Sequence, residues 1–180
     1  CFKTKASCDM CIMKPETCHY HLDTCREDEF AHSVCFQPHI VYLANSSALK
    51  IGITRIMNMP TRWLDQGATQ ALPILKVGSR RLSGHLETLI GTQIADKTDW
   101  RKLLKGEAEP LNLIEQRDQI LEEFAPKIQT IRDEFSQNLE FNETVELLEK
   151  SNVRVTTQKL DVADRDAMKL WAADTVQHHG

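Results

Sequence analysis

The stretch from residue 39 to residue 67 reads HIVYLANSSALKIGITRIMNMPTRWLDQG, and its first half predicts two β-strands joined by a tight turn. Residues 40–44 and 49–54 are rich in β-branched and apolar side chains, and a short polar segment separates them. Because side chains alternate between the two faces of a strand, Tyr42 and Gly52 fall on the same face of this hairpin. We expect that face to be open and the other face to meet the core.

Gly52 interrupts the second strand on the face that it shares with Tyr42 and Lys50. A glycine inside a strand weakens it and often marks the close approach of a ligand or of another backbone. A bulge or an internal packing contact is the plainer alternative. The hairpin alone leaves both interpretations open.

The residues after the hairpin predict a short helix and a third strand. Residues 58–67 predict a helix that carries Arg62 and stops at Gly67. Residues 71–77 predict the strand. Three side chains would share one of its faces: Leu72, Ile74 and Lys76.

Residues 82–95 space their apolar side chains like one side of a helix. Gly84, Glu87 and Gly91 share the other flank, so that one carboxylate lies between two glycines. Each glycine costs a helix about 1 kcal/mol relative to alanine, which implies a reason for the opening. The reason is either close packing of another element or a functional role for Glu87.

The composition bounds the class of protein. With 180 residues, 41% of them hydrophobic, the chain can bury a core and suits one main domain with appendages. No apolar run approaches the length that spans a bilayer, so we expect no membrane-spanning segment.

The net charge of −4 conceals an asymmetry along the chain. Residues 1–38 carry −2, residues 39–106 carry +6 and residues 107–180 carry −8. A basic centre beside an acidic tail predicts that a polyanion, DNA or RNA, binds to the centre, and a mixed solvated surface is the alternative. The residues expected at that surface are Gly52, Arg55, Arg80 and Arg81.

All six cysteines fall within the first 35 residues, among histidines. Four soft ligands satisfy tetrahedral zinc, and the segment has few large aliphatic residues, so bound metal would supply its folding energy. A disulfide framework is the rival interpretation. The preferred zinc ligands are Cys8, Cys11, Cys18 and Cys25, with His21 and Cys35 as substitutes.

The two predicted strands carry residues in the places of two known motifs. Residues 40–42 and 50–52 stand where the GIY-YIG nuclease superfamily has its first and second motifs. Within that superfamily, the chain resembles the family of bacterial and archaeal proteins catalogued as domain of unknown function 2797. The resemblance covers residues 1–106 and rests on VYLANSSALKIGITR, PTRWLDQGATQALPI, DKTDWRKLLKG and CDMCIMKPETCHYH.

The resemblance implies a hydrolytic site for phosphodiester bonds. Tyr42 would activate or orient the attacking water, and Lys50 takes the place of the second motif's tyrosine. Arg62 would hold phosphate charge, and Glu87 would bind Mg²⁺ or Mn²⁺. A guanidinium and a hard cation suit this chemistry because negative charge builds up during cleavage.

Members of the resembling family carry further cysteine pairs upstream of the position of Cys1. Cys1 would then be the last ligand of a site whose other ligands precede this sequence. We therefore expect the chain to be a fragment that is truncated at its N-terminus.

Residues 107–180 form an acidic and mainly helical extension. It is either a solvated appendage or a segment that lies over the basic centre and competes with nucleic acid. A short helix over residues 98–106 is expected to precede it. The prediction for the extension is a helix over residues 111–125, an interruption at Pro126 where the next helix begins, a helix over 143–150, a strand over 152–157 and a helix over 162–176. Ile128, Ile131 and Phe135 follow helical spacing in the helix that begins at Pro126.

Together these patterns predict an α+β fold: a three-stranded antiparallel GIY-YIG-like sheet with helices over residues 39–106. A zinc-binding module over residues 1–38 precedes it, and the helical extension follows it. We expect a cytoplasmic nucleic-acid-binding protein with a divalent-metal-dependent endonuclease site. The alternatives are a non-catalytic nucleic-acid-binding adaptor and a zinc-built protein-interaction module.

Overall fold

An antiparallel sheet forms the centre of the fold in the computed structural model, which describes residues 5–46, 48–92, 94, 110–136 and 145–147. The spatial order of the strands is β2-β1-β3-β4. Their bounds are β1 His39–Asn45, β2 Leu49–Arg55, β3 Gln70–Val77 and β4 Val145–Leu147. The predicted α+β class and its three antiparallel strands are confirmed, and β4 adds a short fourth strand.

Four α-helices accompany the sheet in the described residues. Ser79 caps α3, because its hydroxyl oxygen accepts a hydrogen bond of 3.1 Å from the Leu82 backbone N–H. Gly67 adopts a φ of 62° just after α2, which is the left-handed conformation that ends a helix. The bounds are α1 Asp28–Phe30, α2 Met59–Asp65, α3 Arg80–Gly91 and α4 Leu113–Ser136.

One face of the sheet packs against α3 and α4. Val41 and Leu43 of β1 meet a cluster of fully or nearly buried side chains from those two helices. Most of the apolar stabilisation of the described fold comes from this cluster, because it holds most of the buried aliphatic and phenylalanine side chains. Its helical members are Leu82, Leu86, Ile90, Leu113, Ile120, Phe124 and Phe135.

The other face of the sheet is also covered. Ile40, Tyr42 and Ala44 of β1 form a second buried cluster, against which Met59 and Trp63 of α2 pack. All seven residues of β1 are buried as a result. The prediction of an open face on this side is therefore wrong, because α2 folds back over the central strand.

A β-bulge shifts the pairing between β1 and β3. Val41 lies opposite Leu75, whereas Tyr42 lies opposite Pro73, so that Ile74 has no partner of its own. The alternation reverses at the bulge, and both Ile74 and Leu75 reach the main core. The prediction that Lys76 shares the face of Ile74 is therefore wrong, and Lys76 stays partly exposed.

Helix α4 of the acidic extension contributes buried side chains to the main core. Helix α4 continues through Pro126, because Phe124 and Phe135 are buried on either side of it. The predicted interruption is wrong. The predicted helix over residues 143–150 is also wrong at residues 145–147, which pair with the edge of β3. The elements predicted over residues 98–106, 152–157 and 162–176 lie outside the described residues.

The cysteine-rich segment consists mainly of single 3₁₀ turns and packs on α3. A Cβ atom at Gly84 would lie 2.7 Å from the Glu16 backbone nitrogen and 2.7 Å from the Pro15 Cβ. A Cβ atom at Gly91 would meet Ile51 at 3.6 Å. The packing interpretation of the two α3 glycines therefore holds. Within the described ranges, no helix has the length and apolar character needed to cross a membrane.

Candidate functional site

The Tyr42 ring lies directly over Gly52. The two residues are paired across β1 and β2, and a Cβ atom at position 52 would lie 2.7 Å from the Tyr42 hydroxyl oxygen and 2.8 Å from its Cζ. The close approach that this glycine predicts is therefore made by a side chain of the same protein. Gly52 is buried, and Tyr42 is 0% exposed, so neither residue forms a surface patch.

The Tyr42 hydroxyl is held by residues of α2 and its C-terminal end. It donates a hydrogen bond of 2.6 Å to Oε1 of Gln66. The Trp63 ring meets the Tyr42 ring edge to face, with centroids 5.9 Å apart. Gln66 lies four residues after Arg62, on the same side of the helix, and no sequence motif pointed to it.

Arg62 of α2 and Glu87 of α3 both act electrostatically on the phenol of Tyr42 in β1. Burial raises the pKa of Tyr42, the nearby Glu87 carboxylate raises it further, and the charge and hydrogen bonding of Arg62 oppose the rise. The phenol is therefore neutral at pH 7 and acts as a hydrogen-bond donor. The phenol on which both groups act is buried beneath α2, so the open patch expected around it is not formed.

The charged groups of this site lie nearer to solvent than the phenol does. Arg62 is exposed on α2, and Glu87 is partly exposed on α3. Lys50 pairs with Ala44 and lies two residues before Gly52 in β2, on the same face of the strand. A guanidinium can bind phosphate, and a single carboxylate can hold a divalent cation together with water and phosphate oxygens.

Two of the three arginines predicted to contact nucleic acid are engaged within the protein. The Arg80 Nη2 donates a hydrogen bond to the Ile12 carbonyl oxygen, which ties α3 to the cysteine-rich segment. The Arg81 guanidinium carbon lies 5.1 Å from the centroid of the Phe135 ring. Arg55, at the end of β2, is partly exposed. Of these three arginines, Arg55 is the one for which the described residues show no such internal engagement, and Arg62 is exposed on α2.

A group able to bind a metal lies in the cysteine-rich segment. One ligand atom each from Asp9, Cys11 and His19 lie within 4.8 Å of one another. Asp9 Oδ2 also lies 2.8 Å from the Arg26 Nε and 3.3 Å from the His19 Nε2. Only Cys11 belongs to the predicted ligand set. Asp9 and His19 were missed, although each is adjacent in sequence to a predicted cysteine ligand, Cys8 or Cys18.

The cysteines of this segment are thiols, and two of them have raised pKa values. Burial raises the pKa of both Cys11 and Cys35 to about 11, and the charges of Cys18 and Cys25 contribute to each shift. All four are thiols rather than disulfides. Thiol and imidazole ligands in this number fit zinc, which would bind the sulfurs as thiolates.

The fold and the site define an α+β protein whose cysteine-rich segment packs on the helix that carries Glu87. The chain belongs to a family that is described as "Protein of unknown function (DUF2797)", and the match covers residues 1–168. It therefore extends beyond residues 1–106, the range of the sequence resemblance, and takes in α4 and β4. No curated protein and no solved structure matches the chain.

Proposed function

We propose that this protein binds nucleic acid and hydrolyses phosphodiester bonds with the help of a divalent metal ion. The observation that supports this function is that the Arg62 guanidinium and the Glu87 carboxylate both act on the phenol of Tyr42. Phosphodiester hydrolysis needs stabilisation of phosphate charge, placement of a water molecule and a ligand for a hard cation. Arg62, Tyr42 and Glu87 would supply these functions.

Each residue has a role that follows from its exposure. The exposed Arg62 binds the phosphate, while Arg55 and Lys50 extend the positive surface along β2. Tyr42, neutral and fixed by Gln66, orients polar groups beneath the phosphate and does not act as a base. A Mg²⁺ or Mn²⁺ ion on Glu87 would lower the pKa of a bound water and stabilise negative charge.

The test is to incubate the full-length, zinc-loaded protein with branched, single-stranded and duplex DNA and RNA, in the presence of Mg²⁺ or Mn²⁺. We expect cleavage by the wild-type protein and a loss of at least about 100-fold in the Glu87→Gln variant. Glu122→Gln, on the exposed side of α4, is the matched control and should cleave normally. Equal products from the wild-type protein and Glu87→Gln would reveal a contaminating nuclease.

A second candidate function is non-catalytic binding of nucleic acid by the same surface. The complete burial of Tyr42 and its short hydrogen bond to Gln66 favour it, since a phenol in this state cannot reach a substrate without rearrangement. Binding that depends on Arg62, without divalent-dependent cleavage, would select this function. If the protein neither binds nor cleaves nucleic acid, the remaining function is that of a protein-interaction module.

We also propose a structural zinc ion in the cysteine-rich segment and a cytoplasmic location. Cys11, Cys18, Cys25 and Cys35 are thiols, and thiols persist in reducing compartments whereas disulfides form in oxidising ones. The segment buries few apolar side chains, of which Ala6 and Ala31 are examples, so a metal would contribute to its folding. Zinc content and free-thiol titration of the purified protein test both proposals.

A further inference from the structure

Two turns of the cysteine-rich segment bring the ligand atoms of Asp9, Cys11 and His19 together. Asp9 and Cys11 belong to one turn, which a hydrogen bond of 3.2 Å from the Ile12 backbone N–H to the Asp9 carbonyl oxygen closes. His19 directly precedes the other, the 3₁₀ turn Tyr20–Leu22. The three ligand atoms lie within 4.8 Å of one another. No other cysteine, histidine or acidic side chain of the described residues lies within that distance of all three.

The hydroxyl of Thr24 determines which ring nitrogen of His19 can bind a metal. This hydroxyl donates a hydrogen bond of 3.0 Å to the His19 carbonyl oxygen, and its oxygen lies 2.6 Å from the His19 Nδ1. A hydroxyl has one proton to donate, so Thr24 accepts the second hydrogen bond from an Nδ1–H group. The neutral imidazole then carries its lone pair on Nε2. Histidines that bind metals are oriented in this way, by a hydrogen bond from their other ring nitrogen.

The Nε2 atom of His19 faces a carboxylate oxygen at the distance expected for two ligands of one ion. It lies 3.3 Å from Oδ2 of Asp9. Two ligands that are each about 2.0 Å from a tetrahedral zinc ion lie about 3.3 Å apart. Two lone pairs at this distance repel unless a proton or a cation lies between them. Cys11 adds a soft sulfur ligand to the pair, which a metal ion can use and a shared proton cannot.

Arg26 fixes the orientation of the Asp9 carboxylate. Its Nε lies 2.8 Å from the same Oδ2 atom, and the Asp9 side chain is only 11% exposed. A carboxylate oxygen has two lone pairs, so Oδ2 can accept from Arg26 and bind an ion at the same time. Carboxylates that bind metals are themselves hydrogen-bonded in this way. A divalent ion with one carboxylate and one thiolate is neutral, so the partly buried centre needs no further counter-charge.

We propose that the Asp9 carboxylate, the Cys11 thiolate and Nε2 of His19 bind one zinc ion, and that Thr24 and Arg26 position two of these ligands. The assignment rests on the proposed zinc site and names its ligands. It keeps Cys11 from the sequence-based set and replaces the other cysteines of that set by Asp9 and His19. The three atoms supply three positions of a tetrahedral ion, and the three residues are partly exposed, so water can take the fourth position.

The test uses the full chain with its metal exchanged for one equivalent of Co²⁺, whose charge-transfer absorption in the near ultraviolet increases with the number of thiolate ligands. We expect the absorption of one thiolate, and Cys11→Ser should abolish it. Asp9→Asn and His19→Ala should each weaken Co²⁺ binding at least about tenfold. Three neighbouring substitutions are the matched controls and should bind Co²⁺ like the wild-type protein: Cys8→Ser, Asp23→Asn and His21→Ala.

Thr24→Val tests the positioning of His19 with all three ligands in place. Valine has nearly the shape of threonine but cannot accept the hydrogen bond from Nδ1, so Co²⁺ affinity should fall about 10-fold to 100-fold. The absorption at saturation should remain that of one thiolate. Thr17→Val is the control, because it removes the hydrogen bond from an exposed hydroxyl to the Lys14 carbonyl oxygen and should leave Co²⁺ affinity unchanged.

The outcomes separate this ligand set from the zinc site itself. Absorption of three or four thiolates that is reduced in Cys8→Ser and kept in Asp9→Asn would overturn the ligand set and leave a zinc site built from cysteines. Wild-type affinity in Thr24→Val would overturn the positioning role of Thr24. If the purified protein holds no zinc and binds no Co²⁺, both the ligand set and the zinc site are wrong, and Asp9 and His19 form an ion pair.

Discussion

Replacing Gly52 with alanine tests the arrangement on which the candidate site depends. The new Cβ atom would lie 2.7 Å from the Tyr42 hydroxyl oxygen and 2.8 Å from its Cζ. Carbon atoms in contact prefer separations of about 3.5–4.0 Å, so the ring must move by roughly 0.7 Å or more. Trp63 packs against the other side of this cluster, which limits that movement.

The expected loss of stability follows from these contacts. Overpacking of a filled core costs about 1–3 kcal/mol, and loss of the hydrogen bond from Tyr42 to Gln66 adds about 1 kcal/mol. The removal of a glycine from a strand returns about 0.5–1 kcal/mol. We therefore expect Gly52→Ala to lower the free energy of unfolding by about 2 kcal/mol.

Urea denaturation followed by circular dichroism measures this change, and Gly91→Ala is the matched control. A Cβ atom at Gly91 would meet Ile51 at 3.6 Å, an ordinary contact, so this helix substitution should be neutral or stabilising by up to about 1 kcal/mol. Ultraviolet titration in a Tyr20→Phe background, which leaves Tyr42 as the single tyrosine, reports on the phenol. If Gly52→Ala matches the wild-type stability and phenol titration, the described packing of Tyr42 is refuted.

Three further substitutions address other parts of the fold. Gly84→Ala places a Cβ atom 2.7 Å from the Pro15 Cβ, and we expect faster proteolysis of the cysteine-rich segment although alanine favours the helix by about 1 kcal/mol. Burial lowers the pKa of His39 to about 4, so the unfolded state takes up the proton first as the pH falls. The free energy of unfolding should therefore drop by about 3 kcal/mol between pH 6.5 and pH 4. Urea titrations across this range should show a smaller drop for His39→Asn. Phe135→Ala removes a buried ring that Arg81 stacks on, and urea denaturation should record a loss of about 3–5 kcal/mol.

Local signals were sufficient to predict the hairpin and the boundaries of α2. The β-branched runs on either side of a short polar turn became β1 and β2. Pro60 near the start of α2 and Gly67 after its end act through backbone conformation alone, so they can be read from the sequence. The antiparallel α+β class follows from these elements.

Features that depend on distant contacts could not be predicted in the same way. The bulge at Ile74 exists because both Ile74 and Leu75 gain burial against helices that come later in the chain. Residues 145–147 are too few for a strand pattern to be recognised in the sequence, yet they pair with the edge of β3 that β1 leaves open. Pro126 is tolerated because α4 is held by buried side chains on both sides of it.

The resembling motifs pointed to candidate site residues but not to the hydrogen-bond partner of the Tyr42 hydroxyl. Tyr42, Arg62 and Glu87 were expected from their positions in the resembling motifs, and their roles stay a prediction; Arg62 and Glu87 both influence the pKa of Tyr42. Gln66 has no motif, and only the folding of α2 over β1 brings it to the Tyr42 hydroxyl. The orientation of the phenol was also unpredictable, since a glycine on a strand fits an internal ring as well as an external ligand.

Helix α3 connects the two parts of the molecule for which we propose a function. Its first turns carry Arg80 and Gly84, which contact the cysteine-rich segment at Ile12 and at the Pro15–Thr17 turn. One turn beyond Gly84 it carries Glu87, whose charge reaches Tyr42. A rigid helix moves as one body, so the packing that seats the cysteine-rich segment also fixes the carboxylate of the candidate site. We therefore expect that unfolding of the cysteine-rich segment would also change the position of Glu87.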